Sequence, residues 1–133
     1  MNLNRALGFA SRFHRKSVWA DCAFDEDAVA QFLGSLEASE DGFLRCTDHG
    51  IIGGVLTPLW FSPGAVLATE LFWYSEDPKE GRALREAFEE WASDRGAAAV
   101  QMSAQANERE RALRRIMSGA GYHPTEVSFW KAL

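Results

Sequence analysis

The stretch Ala65–Ala104, AVLATELFWYSEDPKEGRALREAFEEWASDRGAAAVQMSA, confines most tightly what this chain can fold into. Val66–Tyr74 is apolar on both parities, which indicates a central strand covered on both faces. It carries one acid, Glu70. A helix follows with a clear start: Asp77 as N-cap, Pro78 at the first helical position and Glu80 at the third. That pattern is a capping box with Asp in place of Ser or Thr. Leu84, Ala87, Phe88, Trp91 and Ala92 give the helix its buried stripe, and Asp94-Arg95-Gly96 ends it. Ala97–Ser103 reads as a short second strand. Two strands joined by one helix of this length are expected to lie parallel and adjacent.

The flanks complete one α+β layer set. Leu3, Ala6, Leu7, Ala10 and Phe13 fall at helical spacing. His14, Arg15 and Lys16 sit at that helix's C-terminal end, where positive charge is favoured. A second helix follows Asp25, with Val29, Phe32, Leu33 and Leu36 as its apolar stripe and Asp25, Glu26 and Asp27 at its start. Phe43–Thr47 and Ile51–Leu56 read as strands joined at Asp48-His49-Gly50. Gly53-Gly54 inside the second of these points to a bulge or a close backbone approach. Pro58 and Pro63 bracket an expected loop containing Trp60 and Phe61. Beyond Ser103, Asn107 is expected to cap a fourth helix, with Glu110 in the reciprocal position. Ala112, Leu113, Ile116 and Met117 would face inward, and Gly119 and Gly121 would close the helix. Val127, Phe129 and Trp130 are expected to form a final strand. The order is two helices, three strands, a helix, a strand, a helix and a strand. It fits an α+β (mixed α/β) domain with a central mixed sheet, helices on both faces, and a first strand absent or very short.

Composition narrows the function classes. A chain of 133 residues suits one domain, residues 1–133, around one core. A net charge of −5 argues against a phosphate-backbone binder, so no nucleic acid is expected. Cys22 and Cys46 are too few and too far apart for a metal set. His14, His49 and His123 have no ligand companions at metal spacing, so no metal is expected. The N-terminus lacks the apolar core of a signal peptide, and no run of about 18 apolar residues exists. No membrane span and a cytoplasmic location are the expectation.

The local sequences resemble the GNAT superfamily of N-acetyltransferases over roughly Phe43 to the end. Ala68-Thr69-Glu70-Leu71 resembles that family's fourth strand. Gly81-Arg82-Ala83-Leu84, leading to Glu90-Trp91-Ala92 and Arg95-Gly96-Ala97, resembles its third helix and exit turn. Gly121-Tyr122 with Glu126 and Lys131 resembles its C-terminal signature. The Glu70-Leu71-Phe72-Trp73-Tyr74 run is similar to small phage- or prophage-encoded members. The resemblance implies acetyl-CoA as cosubstrate, lying in a split between Val66–Tyr74 and Ala97–Ser103. It also implies backbone pairing of Leu71, Phe72 and Trp73 with the pantetheine arm, and amides near Gly81, Arg82 and Ala83 on the pyrophosphate. Free helix-start amides form an anion site, and Arg82 or Arg85 would add charge beside it. Glu70 would be the general base, its carboxylate desolvated among Leu, Phe and Trp.

Some residues depart from the family pattern. If Gly81 and Ala83 are the two small residues of the phosphate loop, Pro78 replaces its Arg/Gln. If Gly81 is the last small residue, Lys79 and Glu76 take the other positions and the loop is short. Glu76, Asp77 and Glu80 crowd the same helix start, and Met117 stands where the family often places a tyrosine acid. Glu70 has a second reading, as a buried acid paired with an Arg to hold the sheet to a helix. Gly81 likewise has one as a helix-packing residue. Trp60 and Phe61 could line an acceptor pocket or a homodimer surface. Two functions therefore stand: acetyl-CoA-dependent N-acetyl transfer to a primary amine of a small molecule or protein, or a non-catalytic GNAT-like binding or assembly domain with a degenerate phosphate loop.

Overall fold

The computed structural model describes residues 1–133, which divide into two units, Met1–Ser103 and Ala104–Leu133. The first unit runs α1 (Leu3–Lys16), α2 (Glu26–Ala38), β1 (Gly42–Cys46), β2 (Gly50–Leu59), β3 (Ser62–Ser75), α3 (Pro78–Asp94) and β4 (Ala99–Gln101). The second holds α4 (Glu110–Gly119). The sheet order is β1-β2-β3-β4, with β1, β2 and β3 antiparallel and β4 parallel to β3. The predicted parallel pair is therefore present, and β3 is an interior strand.

Local chemistry sets the helix ends. Asn2 Oδ1 accepts from Arg5 N–H and Asp25 Oδ1 from Ala28 N–H, satisfying donors that a helix start leaves open. Asp77 caps α3, with its side chain accepting from Lys79 N–H and Pro78 at the first position. The expected reciprocal bond from Glu80 is replaced by a nearer partner: Asp77 N–H donates to Ser75 Oγ at 3.1 Å. α3 ends on Gly96 at φ +76°, a left-handed conformation that glycine adopts without a Cβ clash, and Ala97 N–H reaches back to Ala92 O.

Two apolar layers sandwich the sheet. On the α3 face, Ile52, Ala68, Leu84, Phe88 and Ala92 are buried together with Phe43. Phe43, Phe88 and Trp91 form an aromatic cluster with centroids 5.2 to 5.7 Å apart. On the other face, α1 and α2 contribute Ala6, Phe9 and Leu33 against Ile51 and Tyr74. Each such fully buried large side chain contributes roughly 1.5–3 kcal/mol.

Three expectations are corrected. The segment between the prolines is no loop: β2 continues through Pro58 to Leu59 and β3 begins at Ser62, leaving only Trp60 and Phe61 in the turn. Proline is tolerated there because the chain is at a sheet end, where a missing N–H costs no interior ladder bond. At α4, Asn107 Oδ1 accepts from the N–H of Arg109, which itself stands at the N-cap two residues later, and Glu110 pairs with Arg114 instead. None of the α4 residues is buried: Leu113 and Met117 are half-buried, Ala112 and Ile116 exposed. Finally, Val127, Phe129 and Trp130 belong to no strand, and Phe129 is almost fully exposed. Alternation can nominate a strand, but a ladder partner is needed to make one.

Gly54 lies under Phe88, and a Cβ there would come within 2.5 Å of the ring and 2.8 Å of Thr69 O. Gly54→Ala is expected to lower stability by about 1–3 kcal/mol, as other overpacked cores do. Urea unfolding measures this, and an unchanged midpoint would mean that Phe88 can yield without cost.

Candidate active site

The site begins with one extra residue. Gly53 is opposite Phe72, but Gly54 is opposite Glu70, so Leu71 is bulged out of the β2–β3 ladder. A bulge places an unpaired residue in one strand and reverses the side-chain alternation beyond it. Ala68 accordingly packs on the α3 side, whereas Phe72 and Tyr74 pack on the α1–α2 side. Opposite the bulge, a Cβ on Gly53 would come within 2.3 Å of the Phe72 ring. The Gly53-Gly54 pair is thus the close approach that the sequence pointed to, and it lies opposite a bulge that belongs to β3 rather than to its own strand.

On its other edge, β3 pairs with β4 at only three positions, Leu67–Ala99, Ala68–Val100 and Thr69–Gln101. The ladder stops one residue before Glu70. From there β3 runs on to Ser75 with no strand on that edge. Glu70 sits at this parting point. It is 7% exposed, and its Oε1 accepts from Ser103 N–H at 3.0 Å. No arginine forms an ion pair with it, so the reading of Glu70 as the acid of a sheet-to-helix ion pair does not hold. Burial pushes its carboxyl up to about 7, and the Ser103 amide pulls in the opposite direction.

The start of α3 is largely self-satisfied. Pro78 has no N–H, Lys79 N–H is held by Asp77 Oδ1, and Gly81 N–H by Asp77 O. Gly81 is buried, 3.1 Å from Ser75 Cβ by its missing side chain, and its carbonyl accepts from the Trp73 indole at 3.0 Å. Arg82 is exposed and bonded to Glu86, and Ala83 is exposed. Arg85 is buried and bonded to Glu89. Of the acids crowding this turn, Glu76 is already engaged by Arg12 and by the Tyr74 hydroxyl.

On the α1–α2 face lies an open cavity of about 460 Å3. Phe13, Trp19, Phe24 and Phe32 line it from the helices and their connection, with Leu71 and Phe72 from β3. Trp60 and Phe61 have no part in it. They stand exposed at the hairpin tip, 89% and 66%, edge-to-face with each other. His14, read from sequence as a helix-end charge, lines the cavity; its Nε2–H donates to Cys22 O at 2.7 Å, and its ring lies tilted against Phe24.

No protein-family model and no curated protein matches the chain in sequence. Solved structures do match in shape. One is AAC(6')-Iy in complex with the bisubstrate analogue CoA-S-monomethyl-acetylneamine, at TM-score 0.69 and 12% identity, covering 98% of this chain and 91% of that one. Another is a ribosomal-protein-alanine N-acetyltransferase from Brucella melitensis biovar Abortus 2308, at TM-score 0.69 and 11% identity, covering 99% and 94%. A third is the apo aminoglycoside 6'-N-acetyltransferase AAC(6')-IG from Acinetobacter haemolyticus, at TM-score 0.68 and 13% identity, covering 98% and 92%. The fold is that of the GNAT acetyltransferases. Within that GNAT fold, the sequence located Glu70, Leu71, Phe72 and Trp73 on one strand, and the structure brings them to its free edge. It did not locate Ser103, whose amide acts through the backbone and leaves no side-chain signal. Nor did it locate the cavity wall, which draws single residues from α1, α2 and their connection.

Glu70 also couples stability to pH. Its folded-state value of about 7 lies above the ordinary 4.5, so the native state binds this proton more tightly than the unfolded chain. Its contribution is favourable below pH 4.5 and is lost as pH rises through about 7, amounting to roughly 3 kcal/mol. Denaturant titrations from pH 4 to 8 should show Glu70→Gln becoming more stable than the parent at the upper end. Parallel curves at every pH would mean that the carboxyl titrates normally.

Proposed function

We propose that the chain is an acetyl-CoA-dependent N-acetyltransferase acting on a primary amine, as one acyltransferase domain spanning residues 1–133. The observation that carries this reading is Glu70, buried with a carboxyl near neutrality where β3 and β4 part. The GNAT fold and its acetyltransferase neighbours support it. The likeness of the Glu70–Tyr74 run to small phage-encoded members belongs to the same reading.

The unpaired edge of β3 suits an extended amide-bearing arm, since its backbone N–H and C=O groups can add ladder-type bonds to a ligand. Leu71, Phe72 and Trp73 would supply those groups. At the α3 start, Gly81, Arg82 and Ala83, with Lys79, would face the pyrophosphate, the helix dipole adding attraction. Acetyl-CoA supplies the acetyl group as an activated thioester when bound. Glu70 removes the proton that a protonated amine must lose before its nitrogen has a free lone pair. A base with a value near the working pH does this well, because it is largely ionised and still accepts a proton. The Ser103 amide holds the carboxylate in place by one charge-assisted hydrogen bond.

One observation favours the alternative, a non-catalytic GNAT-like binding or assembly domain: the start of α3 uses most of its own donors and carries Asp77 and Glu80. Calorimetric titration with acetyl-CoA separates the two. Saturable micromolar binding supports the enzyme, and no heat at several hundred micromolar supports the binding domain. In the enzyme, Glu70→Gln is expected to lower kcat by about 10²–10⁴-fold with the acetyl-CoA Kd unchanged. The parent's kcat/KM should fall as pH drops below about 7, where Glu70 gains its proton. Full activity of the variant would remove Glu70 from the mechanism.

A further inference from the structure

The end of the β2–β3 hairpin carries apolar surface that the chain does not cover. Thr57, Pro58 and residues 60–64 are exposed, so the hairpin projects past the packed layers. Its two-residue turn is Trp60-Phe61, where hairpins of this kind favour Asn-Gly or a glycine. The two rings meet edge-to-face with centroids 5.2 Å apart. Residues 50–69 include no charged side chain, in a chain that is 25% charged. Adjacent exposed rings on an uncharged arm mark a contact surface rather than a scattered apolar residue.

The cavity between α1, α2 and β3 is the complementary surface. It is open, about 460 Å3, and walled by Phe13, Trp19, Phe24, Phe32, Leu71 and Phe72. Trp19, Phe32 and Leu71 remain substantially exposed although each is large and apolar. The few polar side chains in the wall serve the chain itself: His14 donates to Cys22 O, Ser17 to His14 O, and Asp25 caps α2. A cavity of this size suits a guest of one or two aromatic rings. The hairpin cannot fill the cavity of its own chain. Leu71 stands about ten residues beyond the tip on a paired strand, roughly 30 Å away at ~3.3 Å per residue.

We propose that the rings of Trp60 and Phe61 enter the cavity of a second copy of this chain, and that two copies exchange tips as a closed two-fold dimer. Tip and cavity lie on one strand pair, so two hairpins laid antiparallel bring each tip to the other's cavity at once. A two-fold exchange closes after two copies, whereas one-way insertion would continue into a fibre. The strip between tip and cavity fits this contact. Leu56 packs with the α3 layer, so alternation turns Val55 and Thr57 to the other face, with their ladder partners Thr69 and Leu67. Charge selects the occupant. Two copies of net charge −5 repel, and here they meet through uncharged parts. An anionic lipid surface would instead call for basic residues beside the rings, and the arm has none. Each buried Trp or Phe covers about 150–250 Å2, so four rings and the walls that receive them reach the ~1,200 Å2 of a specific interface. The exchange is independent of the acyltransferase reading.

The test is sedimentation equilibrium of the full chain and of variants on each side of the contact. Trp60→Asn with Phe61→Gly removes both rings and leaves a favoured two-residue turn. Ala28→Glu puts a charge in the cavity wall from an exposed position on α2, and a glutamate three residues after the Asp25 cap supports the helix start. Phe32→Ser, at a substantially exposed ring of the wall, repeats the cavity test should Ala28→Glu alter the fold. The expected result is a parent dimer at micromolar concentration, with a thermal midpoint that rises with protein concentration. The ring-less variant and Ala28→Glu should each weaken dimerisation at least tenfold, and Phe32→Ser several-fold, with circular dichroism unchanged. A parent that stays monomeric at roughly 0.2 mM would overturn the proposal, because an interface of this size associates more tightly. A dimer that survives the cavity variants would place the tips elsewhere, and one that survives loss of both rings would not use the tips; either overturns the exchange. So would a monomer that sediments with phosphatidylcholine vesicles only when Trp60 and Phe61 are present, which would assign the tip to a lipid surface.

Discussion

The bulge at Leu71, held open by two opposing glycines, is the constraint on which the rest of the first unit depends. A side chain on Gly53 would strike Phe72, and one on Gly54 would strike Phe88. With both absent, β2 lies close under rings from both faces, and β3 can carry one residue more than its partner. The consequence is a change of face along a single strand. Ala68 belongs to the α3 layer, and Phe72 and Tyr74 to the α1–α2 layer. A regular strand would keep all of these residues on one side.

The same bulge explains why an acid can be buried in the middle of the sheet. Glu70 is the last residue before the shift and the first beyond the β4 ladder. It is shielded from water yet lies beside an amide that β4 no longer uses in pairing, the Ser103 N–H. One hydrogen bond does not offset the lost hydration, and the carboxyl therefore moves toward neutrality. A buried group with an unfavourable charged form is a cost to the fold, and such costs concentrate where chemistry needs them. The alternative of a structural ion pair would have drawn the carboxyl the other way, and the arginines of α3 are committed elsewhere, Arg82 to Glu86 and Arg85 to Glu89.

The start of α3 shows how local and ligand-directed demands compete for the same donors. Asp77, Pro78 and Gly81 make a well-terminated helix by satisfying its first amides within the chain. Gly81 also lets the helix settle against Ser75 and Trp73, and the indole bond to its carbonyl fixes that contact. The packing role of Gly81 is therefore established by geometry. A phosphate-directed role would have to share the turn with Asp77 and Glu80.

The sequence by itself determined the elements of Ala65–Ala104, because capping residues, the 3.6-residue stripe of α3 and the apolar run of β3 act over a few neighbouring positions. It also marked Glu70 as unusual, since an acid inside such a run must be buried or accommodated. The pairing of Gly53-Gly54 signalled a close approach without saying what approached. What only the tertiary structure decided depends on partners distant in sequence. The ladder between β3 and β4 ends at Thr69–Gln101, which places Ser103 beside Glu70. The cavity gathers residues from positions 10 to 72, none of them informative alone. The segment Val127–Trp130 alternates like a strand and forms none, because alternation specifies two faces while a strand also requires another backbone to bond. Local pattern fixes which conformation a segment prefers; the meeting of segments fixes which groups lose water and which find a partner.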